Sequence, residues 1–284
     1  MTRRGLVLGG GGVAGVAWQT GLLAGLLEGN VDVLDADVIV GTSAGSTVAA
    51  QITSGTPLKE LFDRQVDPAL QAPELSPVLG AEDLMMLSLD AHDGATDALD
   101  LRRRIGVMAL AAPTVAEAER RAVIEARLPS HSWPRADLKV VAVDAETGEE
   151  RVFDPTSGVD LVDAVAASCA VPGAWPPVTI DGRRYIDGGI RTSENADLAA
   201  GCDQILVIQV MAVPGNTDLD DQVAALRAQG SKVSVIRPDD VAASSIGPNL
   251  LDPAVREAAA RAGHDQGLRA APAVAGVWSQ GLLQ

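Results

Sequence analysis

The chain has 284 residues, a formal net charge of -16 and a pI near 4.5, with 47% hydrophobic but only 2% aromatic residues. A surface this acidic excludes long-range electrostatic attraction to nucleic acid and disfavours binding to strongly anionic bilayers. Local apolar contact with lipid is compatible with this charge. The length fits one large domain over residues 1–284, with a core packed by Ala, Val and Leu.

The first part of the chain alternates strands with helices, which indicates parallel βαβ units. In chain order, the pattern predicts a strand at Arg4–Leu8, a glycine loop, a helix at Val16–Glu28, a strand at Val38–Val40 and a helix at Ser46–Ser54. The uncharged stretch Gly5–Leu27 could imitate a signal peptide or a membrane span. Four consecutive glycines interrupt that stretch, and glycine is a poor helix former, so we interpret it as strand, loop and helix.

Residues 56–112 form a variable segment broken by prolines. Two interpretations of its apolar residues stand: a short helix packed on the core, which methionine-rich stripes usually form, and a mobile lid over a lipid site. The residues concerned are Leu84, Met85, Met86, Leu87 and Leu89.

The rest of the chain continues the α/β alternation. Its predicted elements are a helix at Thr114–Leu128, antiparallel strands at Leu138–Val143 and Arg151–Phe153, a helix at Leu161–Ser168, a hairpin of Val178–Ile180 with Arg184–Ile186, strands at Ile205–Val210 and Val233–Ile236, and a helix at Pro253–Arg269. Together the elements predict an α/β fold with three α/β/α layers and a mostly parallel central sheet.

A G-x-S-x-G motif follows the second predicted strand, as Gly41-Thr42-Ser43-Ala44-Gly45. A serine at a sharp strand-to-helix turn is typical of a nucleophile elbow, where Gly41 and Gly45 permit the close approach of neighbouring backbone. The following helix N-terminus favours negative charge near Ser43. The alternative, a serine that only caps the helix, is less consistent with its place after an apolar strand.

The glycine loop between the first strand and helix could supply oxyanion donors. Acyl transfer passes through a tetrahedral intermediate, and the N–H groups of Gly10, Gly11 and Gly12 could bind its oxygen. The same loop, ending at Gly15, formally matches a dinucleotide fingerprint. That alternative needs an acidic residue at the end of the next strand, where this chain has Ser43, so we do not favour nucleotide binding.

A serine nucleophile needs a base, and the sequence offers an aspartate and three histidines. Asp187 precedes Gly188 and Gly189 at the end of a predicted strand, where it could project toward Ser43 or simply occupy a solvated turn. His92 and His131 lie in polar stretches, and His264 has the chain order of a Ser–Asp–His triad but lies in a predicted helix. We therefore prefer Asp187 acting directly on Ser43.

Together these motifs resemble the patatin-like phospholipase family. The stretch 167–178 (ASCAVPGAWPPV) also resembles the proline-containing block of that family, and 181–189 (DGRRYIDGG) follows it in the same order. The resemblance implies a three-layer patatin-like fold and a Ser43–Asp187 dyad without histidine. It further implies an oxyanion hole in the glycine loop, and hydrolysis of lipid acyl esters without a metal or organic cofactor.

The glycine loop departs from the family at one position. Ala14 stands where the family usually has Arg or Lys, which weakens a preference for anionic head groups and favours simple acyl esters or neutral lipids. The phospholipase A, lysophospholipase and carboxylesterase types all stay open. So do an acyltransferase on the same dyad and a non-catalytic module that binds lipid or a partner.

The two cysteines, Cys169 and Cys202, match no metal or redox spacing and are interpreted as small buried residues. A reducing compartment is compatible with this count. We expect a cytoplasmic protein, with peripheral membrane contact as an open alternative and no nucleic-acid partner.

Overall fold

The computed structural model describes residues 2–80, 83, 86, 87, 91–212 and 215–278. Its strands are β1 (Arg4–Leu8), β2 (Val38–Thr42), β3 (Asp137–Asp144), β4 (Glu150–Phe153), β5 (Val178–Ile180), β6 (Arg183–Asp187), β7 (Gln204–Ile208) and β8 (Lys232–Ile236). Its α-helices are α1 (Gly12–Glu28), α2 (Ala44–Ile52), α3 (Leu58–Val66), α4 (Ala98–Ala111), α5 (Glu117–Arg127), α6 (Leu161–Ser168), α7 (Asp218–Ala228), α8 (Asp240–Ile246) and α9 (Arg256–Trp278).

All of these strands belong to one sheet. Strands β3, β2, β1, β7 and β8 are parallel and adjacent in that order. Strands β4 and β6 both pair antiparallel with β3, and β5 pairs antiparallel with β6. The predicted α/β fold with a mostly parallel central sheet is confirmed.

Both faces of the sheet are buried, as expected for parallel strands covered by helices. Along β1, Leu6 and Leu8 face a core formed with α1, α2 and α9, whereas Val7 faces a second core that includes Leu219 and Val223 of α7. Helix α4 packs against Val143 and Ile186. The three predicted layers are therefore present. Among the described helices, none has both the length and the hydropathy needed to span a bilayer.

Near the site, the start of α1 is the element boundary that differs most from its prediction. The helix begins at Gly12 rather than Val16, because tertiary contacts hold the glycines in the first turn despite their low propensity. The Gly15 N–H donates to Gly11 O over 2.7 Å, and the Ala14 N–H donates to Leu250 O over 3.1 Å. The last part of the glycine loop is therefore the N-terminal turn of a helix.

Other element bounds also differ from the predictions. Helix α2 begins two residues before its predicted start, and α9 continues past Arg269 to Trp278 with Pro272 inside it. Helices α3, α4, α7 and α8 were not predicted, and two of them, α3 and α4, lie within the proline-interrupted residues 56–112 that were interpreted as irregular. Of the apolar residues assigned to a core helix or a lid, Leu84, Met85 and Leu89 lie outside the described residues, so that choice stays open.

Candidate active site

Ser43 occupies a strained turn between β2 and α2. Its backbone has φ 52° and ψ -118°, a conformation that costs a non-glycine residue of order 1–3 kcal/mol and occurs mostly at functional sites. A Cβ on Gly41 would lie 2.6 Å from Ser46 Cα, and one on Gly45 would collide with Leu8 O, so both positions require glycine. The G-x-S-x-G motif thus forms a sharp, strained turn from strand to helix.

Strand β3 brings Asp187 to the same point. Thr42, the last residue of β2, pairs with Val141, and Asp187, the last residue of β6, pairs with the next residue, Ala142. Strand β4 occupies the opposite edge of β3 at these same residues, so β2 and β6 must share one edge and meet end to end. The structure therefore places Ser43 and Asp187 side by side, although they are far apart in sequence.

The Asp187 carboxyl group is buried and only half satisfied. Asp187 is only 4% exposed. Its Oδ1 accepts the Gly189 N–H over 2.8 Å, whereas Oδ2 has no hydrogen-bond partner of ordinary geometry among the described residues. Burial raises the pKa of Asp187 to about 6, against the lowering effect of the Ser43 hydroxyl and the Gly189 N–H. The Ser43 hydroxyl is thus close enough to this carboxyl group to lower its pKa.

The end of α6 and the residues that follow it hold both Ser43 and Asp187 in position. Ser168 Oγ accepts the Ser43 N–H over 2.9 Å, and the Cys169 thiol donates to Ser43 O over 3.2 Å. The Asp187 N–H donates to Ala170 O over 3.0 Å. Residues of the proline-containing block therefore connect the elbow with the end of β6.

Asn195 connects the turn at Ser43 with the turn after Asp187, and the sequence did not predict this role. Its side-chain amide donates to Thr42 Oγ1 over 3.0 Å, to Gly188 O over 3.3 Å and to Thr192 O over 2.8 Å. Its backbone is left-handed, with φ 55°, which asparagine tolerates better than most residues. An asparagine in a polar run shortly after Asp-Gly-Gly was the available signal.

We expect Asn195→Ala to lower both the unfolding free energy and kcat. Loss of these bonds costs roughly 1–3 kcal/mol, and alanine in a left-handed conformation costs roughly 1 kcal/mol more. Asn195→Gly is the matched control because glycine adopts this backbone without strain. Urea unfolding should rank the stabilities wild type, then glycine, then alanine. Equal stability of wild type and the glycine variant would show that the amide contributes nothing.

One predicted oxyanion donor must be corrected. The Gly10 N–H is already used, because it donates to Ser193 O over 2.9 Å. The N–H groups of Gly11 and Gly12 have no acceptor within the described part of the chain, and neither does that of Ala44, the first residue of α2. Ala44 was not predicted as a donor, although the residue after an elbow serine commonly supplies one. The N-termini of α1 and α2 both open at this site, where they favour negative charge.

The crevice beside Ser43 is narrow, with a volume of about 20 Å³. It is lined by Gly12, Val13, Val16, Ser43, Ala44, Arg120, Arg127, Cys169, Val171, Trp175 and Leu251. None of the described residues of 56–112 lines it, whereas Leu251, from the connection between α8 and α9, does. A larger groove of about 900 Å³ beside α4 shares no lining residue with this crevice.

The histidines do not line the crevice. His264 lies on α9, where Nε2 is 2.9 Å from Glu28 Oε2 and the ring contacts Phe62. His92 and His131 are exposed. The structure therefore brings Asp187, and no histidine, to Ser43.

Three buried arginines surround one glutamate next to the crevice. Glu74 accepts hydrogen bonds from Arg127 at 2.6 Å and from Arg256 at 2.8 Å, and its carboxylate lies 3.9 Å from Arg120. No pattern in the sequence predicted this cluster, because its members come from three distant segments. The seven-residue spacing of Arg120 and Arg127 on one helix face was the only local signal.

We expect Glu74→Gln to destabilise the fold by roughly 3–5 kcal/mol, because it leaves buried arginines without their counter-charge. Glu60→Gln is the matched control: Glu60 is half-exposed and pairs with Arg64 one turn along α3. Its loss should cost less than about 0.5 kcal/mol. Urea unfolding at pH 7 measures both. Equal effects would show that Glu74 does not balance the cluster.

The site offers no obvious metal centre within the described ranges, where no three His, Cys, Asp or Glu side chains converge. Cys169 and Cys202 are both buried free thiols. Burial raises the pKa of the Cys169 thiol, so this neighbour of Ser43 is kept neutral.

The chain is similar to a known protein family and to several solved structures. A family model described as Patatin-like phospholipase matches residues 6–200. Among solved structures, VipD from Legionella pneumophila is similar, with 14% identity and a TM-score of 0.49 over 96% of this chain and 67% of that one. The type III effector ExoU is similar at 18% identity and a TM-score of 0.38, over 94% of this chain and 53% of that one. The chain thus spans about half the length of ExoU.

Proposed function

The chain belongs to the patatin-like phospholipase family, and we propose that it hydrolyses carboxylic esters of lipids with Ser43 as nucleophile and Asp187 as general base. The observation that carries this proposal is the pairing of a strained elbow serine with a buried carboxylate whose Oδ2 is uncommitted. The substrates would be of the phospholipase A, lysophospholipase or carboxylesterase type.

In the proposed reaction, Ser43 Oγ attacks the ester carbonyl while Asp187 Oδ2 accepts the hydroxyl proton. The N–H groups of Gly11, Gly12 and Ala44 stabilise the negative oxygen of the tetrahedral intermediate. Collapse breaks the bond to the alcohol, which leaves with the proton held by Asp187. Water then attacks the acyl-enzyme while Asp187 takes its proton. The bond between the acyl carbon and Ser43 Oγ breaks, Asp187 returns the proton to Ser43, and the fatty acid departs.

The acid limb of the pH profile should report Asp187. A base must be ionised, and burial raises the pKa of Asp187 to about 6. We therefore expect kcat/KM for a monomeric short-chain ester to fall tenfold per pH unit below about pH 6 and to be level above pH 7. Initial rates between pH 4 and 9 measure this limb. A rate that stays level down to pH 4 would argue against a base with this pKa.

The most direct experiment is labelling with a fluorophosphonate probe, followed by identification of the modified peptide. The expected result is a single modified serine, Ser43, together with turnover in a panel of phospholipids, lysophospholipids and short acyl esters. Labelling at another serine would overturn the assignment.

A non-catalytic module that binds lipid or a partner is the second candidate. The narrow crevice favours it, because about 20 Å³ holds roughly one water molecule and an acyl ester must widen it. Tight lipid binding without turnover of any ester would support this candidate. If transfer to an added alcohol exceeded hydrolysis, the same dyad would instead serve an acyltransferase.

A further inference from the structure

The arginine cluster carries more positive charge than its glutamate can balance. Arg120, Arg127 and Arg256 are each at least nine-tenths buried, and Glu74 is the acidic side chain paired with all three. Three guanidinium groups against one carboxylate leave a net formal charge of +2, in a chain whose total is -16. Buried charge of one sign is costly unless an opposite charge joins it.

Arg120 is the least satisfied member of the cluster. It is 5% exposed, and its Nε and Nη1 have no hydrogen-bond partner among the described residues. Its guanidinium lies 3.9 Å from the centre of the Trp175 ring, which fixes the plane of the group without using its N–H donors. Burial and the neighbouring Arg127 lower the pKa of Arg120 to about 10. An anion near Arg120 would remove this electrostatic cost.

Arg120, which carries these unsatisfied donors, lies beside Ser43. Arg120 and Arg127 line the same crevice as Ser43, and Arg127 and Arg256 line an adjoining cavity of about 90 Å³. Glu74 holds Arg127 and Arg256 through short hydrogen bonds, so these two are also anchored structurally. Arg120 is 3.9 Å from Glu74, and its Nε and Nη1 donors are left without an acceptor among the described residues.

We propose that Arg120, supported by Arg127 and Arg256, binds the phosphate group of a phospholipid whose scissile ester lies at Ser43. A guanidinium presents several donors in one plane and matches phosphate oxygens well. The inference rests on the proposed function and deepens it. It also reverses the expectation from Ala14: the positive charge absent from the glycine loop is supplied by α5 and α9.

The kinetic test compares two monomeric substrates, dihexanoyl phosphatidylglycerol and uncharged dihexanoylglycerol. Arg120→Met removes the charge and keeps an apolar side chain against Trp175. We expect its kcat/KM to fall 10- to 100-fold more for the phospholipid than for the neutral ester, the size of one charge-assisted hydrogen bond. Arg261→Met, an exposed arginine of α9, is the matched control and should leave the ratio unchanged. Equal losses on both substrates would overturn the proposal.

A second variant covers the case in which Arg120→Met does not fold. Arg120→Lys keeps the charge but loses the planar donors, so a smaller loss, still selective for the phospholipid, is expected. Inorganic phosphate separates the sources of the ligand. Competitive inhibition of neutral-ester hydrolysis, beyond that of chloride at equal ionic strength and weakened by Arg120→Lys, would show recognition of phosphate itself. A selective loss without such inhibition would show recognition only within the lipid. If Arg120→Lys kept both the wild-type preference for the phospholipid and the wild-type inhibition by phosphate, the proposal would be refuted.

Binding without turnover separates this inference from the proposed function. Calorimetry of dihexanoyl phosphatidylglycerol with Ser43→Ala should detect binding that Arg120→Lys weakens several-fold. If this holds while the wild type hydrolyses no ester, the anion subsite stands and the hydrolase proposal fails. If the wild type hydrolyses both esters and the substitutions at Arg120 never discriminate between them, the hydrolase proposal stands and the anion subsite fails.

Discussion

Ser43→Ala is expected to lower kcat/KM for acyl-ester hydrolysis by about 10⁶-fold, the order seen when a serine nucleophile is removed from a hydrolase. The substitution deletes the attacking oxygen and leaves the backbone donors of Gly11, Gly12 and Ala44 in place. Any remaining rate would come from attack by water in the same crevice. Labelling by a fluorophosphonate should disappear together with turnover.

The experiment must distinguish a loss of activity from a loss of folding. Alanine carries the same left-handed strain as serine, so the thermal midpoint should change little. Ser245→Ala is the matched control, because Ser245 is a half-buried serine of α8 that does not line the crevice and whose hydroxyl donates to Val241 O. It should retain full activity and labelling. Undiminished turnover in a folded Ser43→Ala protein would refute the proposed nucleophile.

Asp187→Asn is expected to lower kcat/KM by at least about 10⁴-fold, comparable to the loss seen when the aspartate of a catalytic triad becomes asparagine. The amide keeps the shape of the carboxyl group and can still accept the Gly189 N–H. It cannot take the Ser43 proton. The acid limb of the pH profile should vanish from the residual activity.

The same substitution should stabilise the protein at neutral and alkaline pH. The folded-state pKa of Asp187 is about 6, against 3.8 for the ordinary value, so folding favours the protonated form. Stability from this group is therefore complete below about pH 4 and is lost as the pH rises through 6. Each pKa unit corresponds to 1.36 kcal/mol, so the variant should gain up to roughly 3 kcal/mol at pH 8 and nothing near pH 4.

His264→Ala is the comparison that distinguishes a dyad from a triad. Its partner Glu28 is exposed, and α9 holds it against α1 away from the crevice, so we expect a loss of less than about threefold. Turnover and urea unfolding at pH 4 and 8 are measured for the wild type, Asp187→Asn and His264→Ala. An inactive but folded His264→Ala protein, together with an active Asp187→Asn protein, would identify His264 as the base.

Local patterns in the sequence predicted most of the framework that carries the site. The apolar strand before Gly41–Gly45 indicated an elbow, and the Asp181-Gly182 turn predicted the β5–β6 hairpin that ends at Asp187. Both are local signals, because a turn type or an elbow depends on a few neighbouring residues. The single-domain assignment and the lid-like role of 56–112 stay predictions.

The features that escaped prediction depend on contacts between distant residues. Asn195 matters through its bonds to Thr42 and Gly188, and no pattern around it shows those partners. The arginine cluster unites segments separated by well over a hundred residues, with Glu74 and Arg256 at its ends. The Gly10 N–H could be assigned only after Ser193 O was located. Hydrogen-bond assignments of this kind need tertiary structure.

The end-to-end meeting of β2 and β6 on β3 has a consequence for how activity fails. Strand β2 is a central strand, whereas β6 pairs with β3 at three residues and with its hairpin partner β5 at the sheet margin, and the Asp187 N–H is bonded outside the sheet to Ala170 O. Marginal pairings of this kind open locally at a lower free energy than the whole domain. We therefore expect local opening of this hairpin to move Asp187 away from Ser43, so that loss of the proposed activity on warming precedes melting of the helical layers.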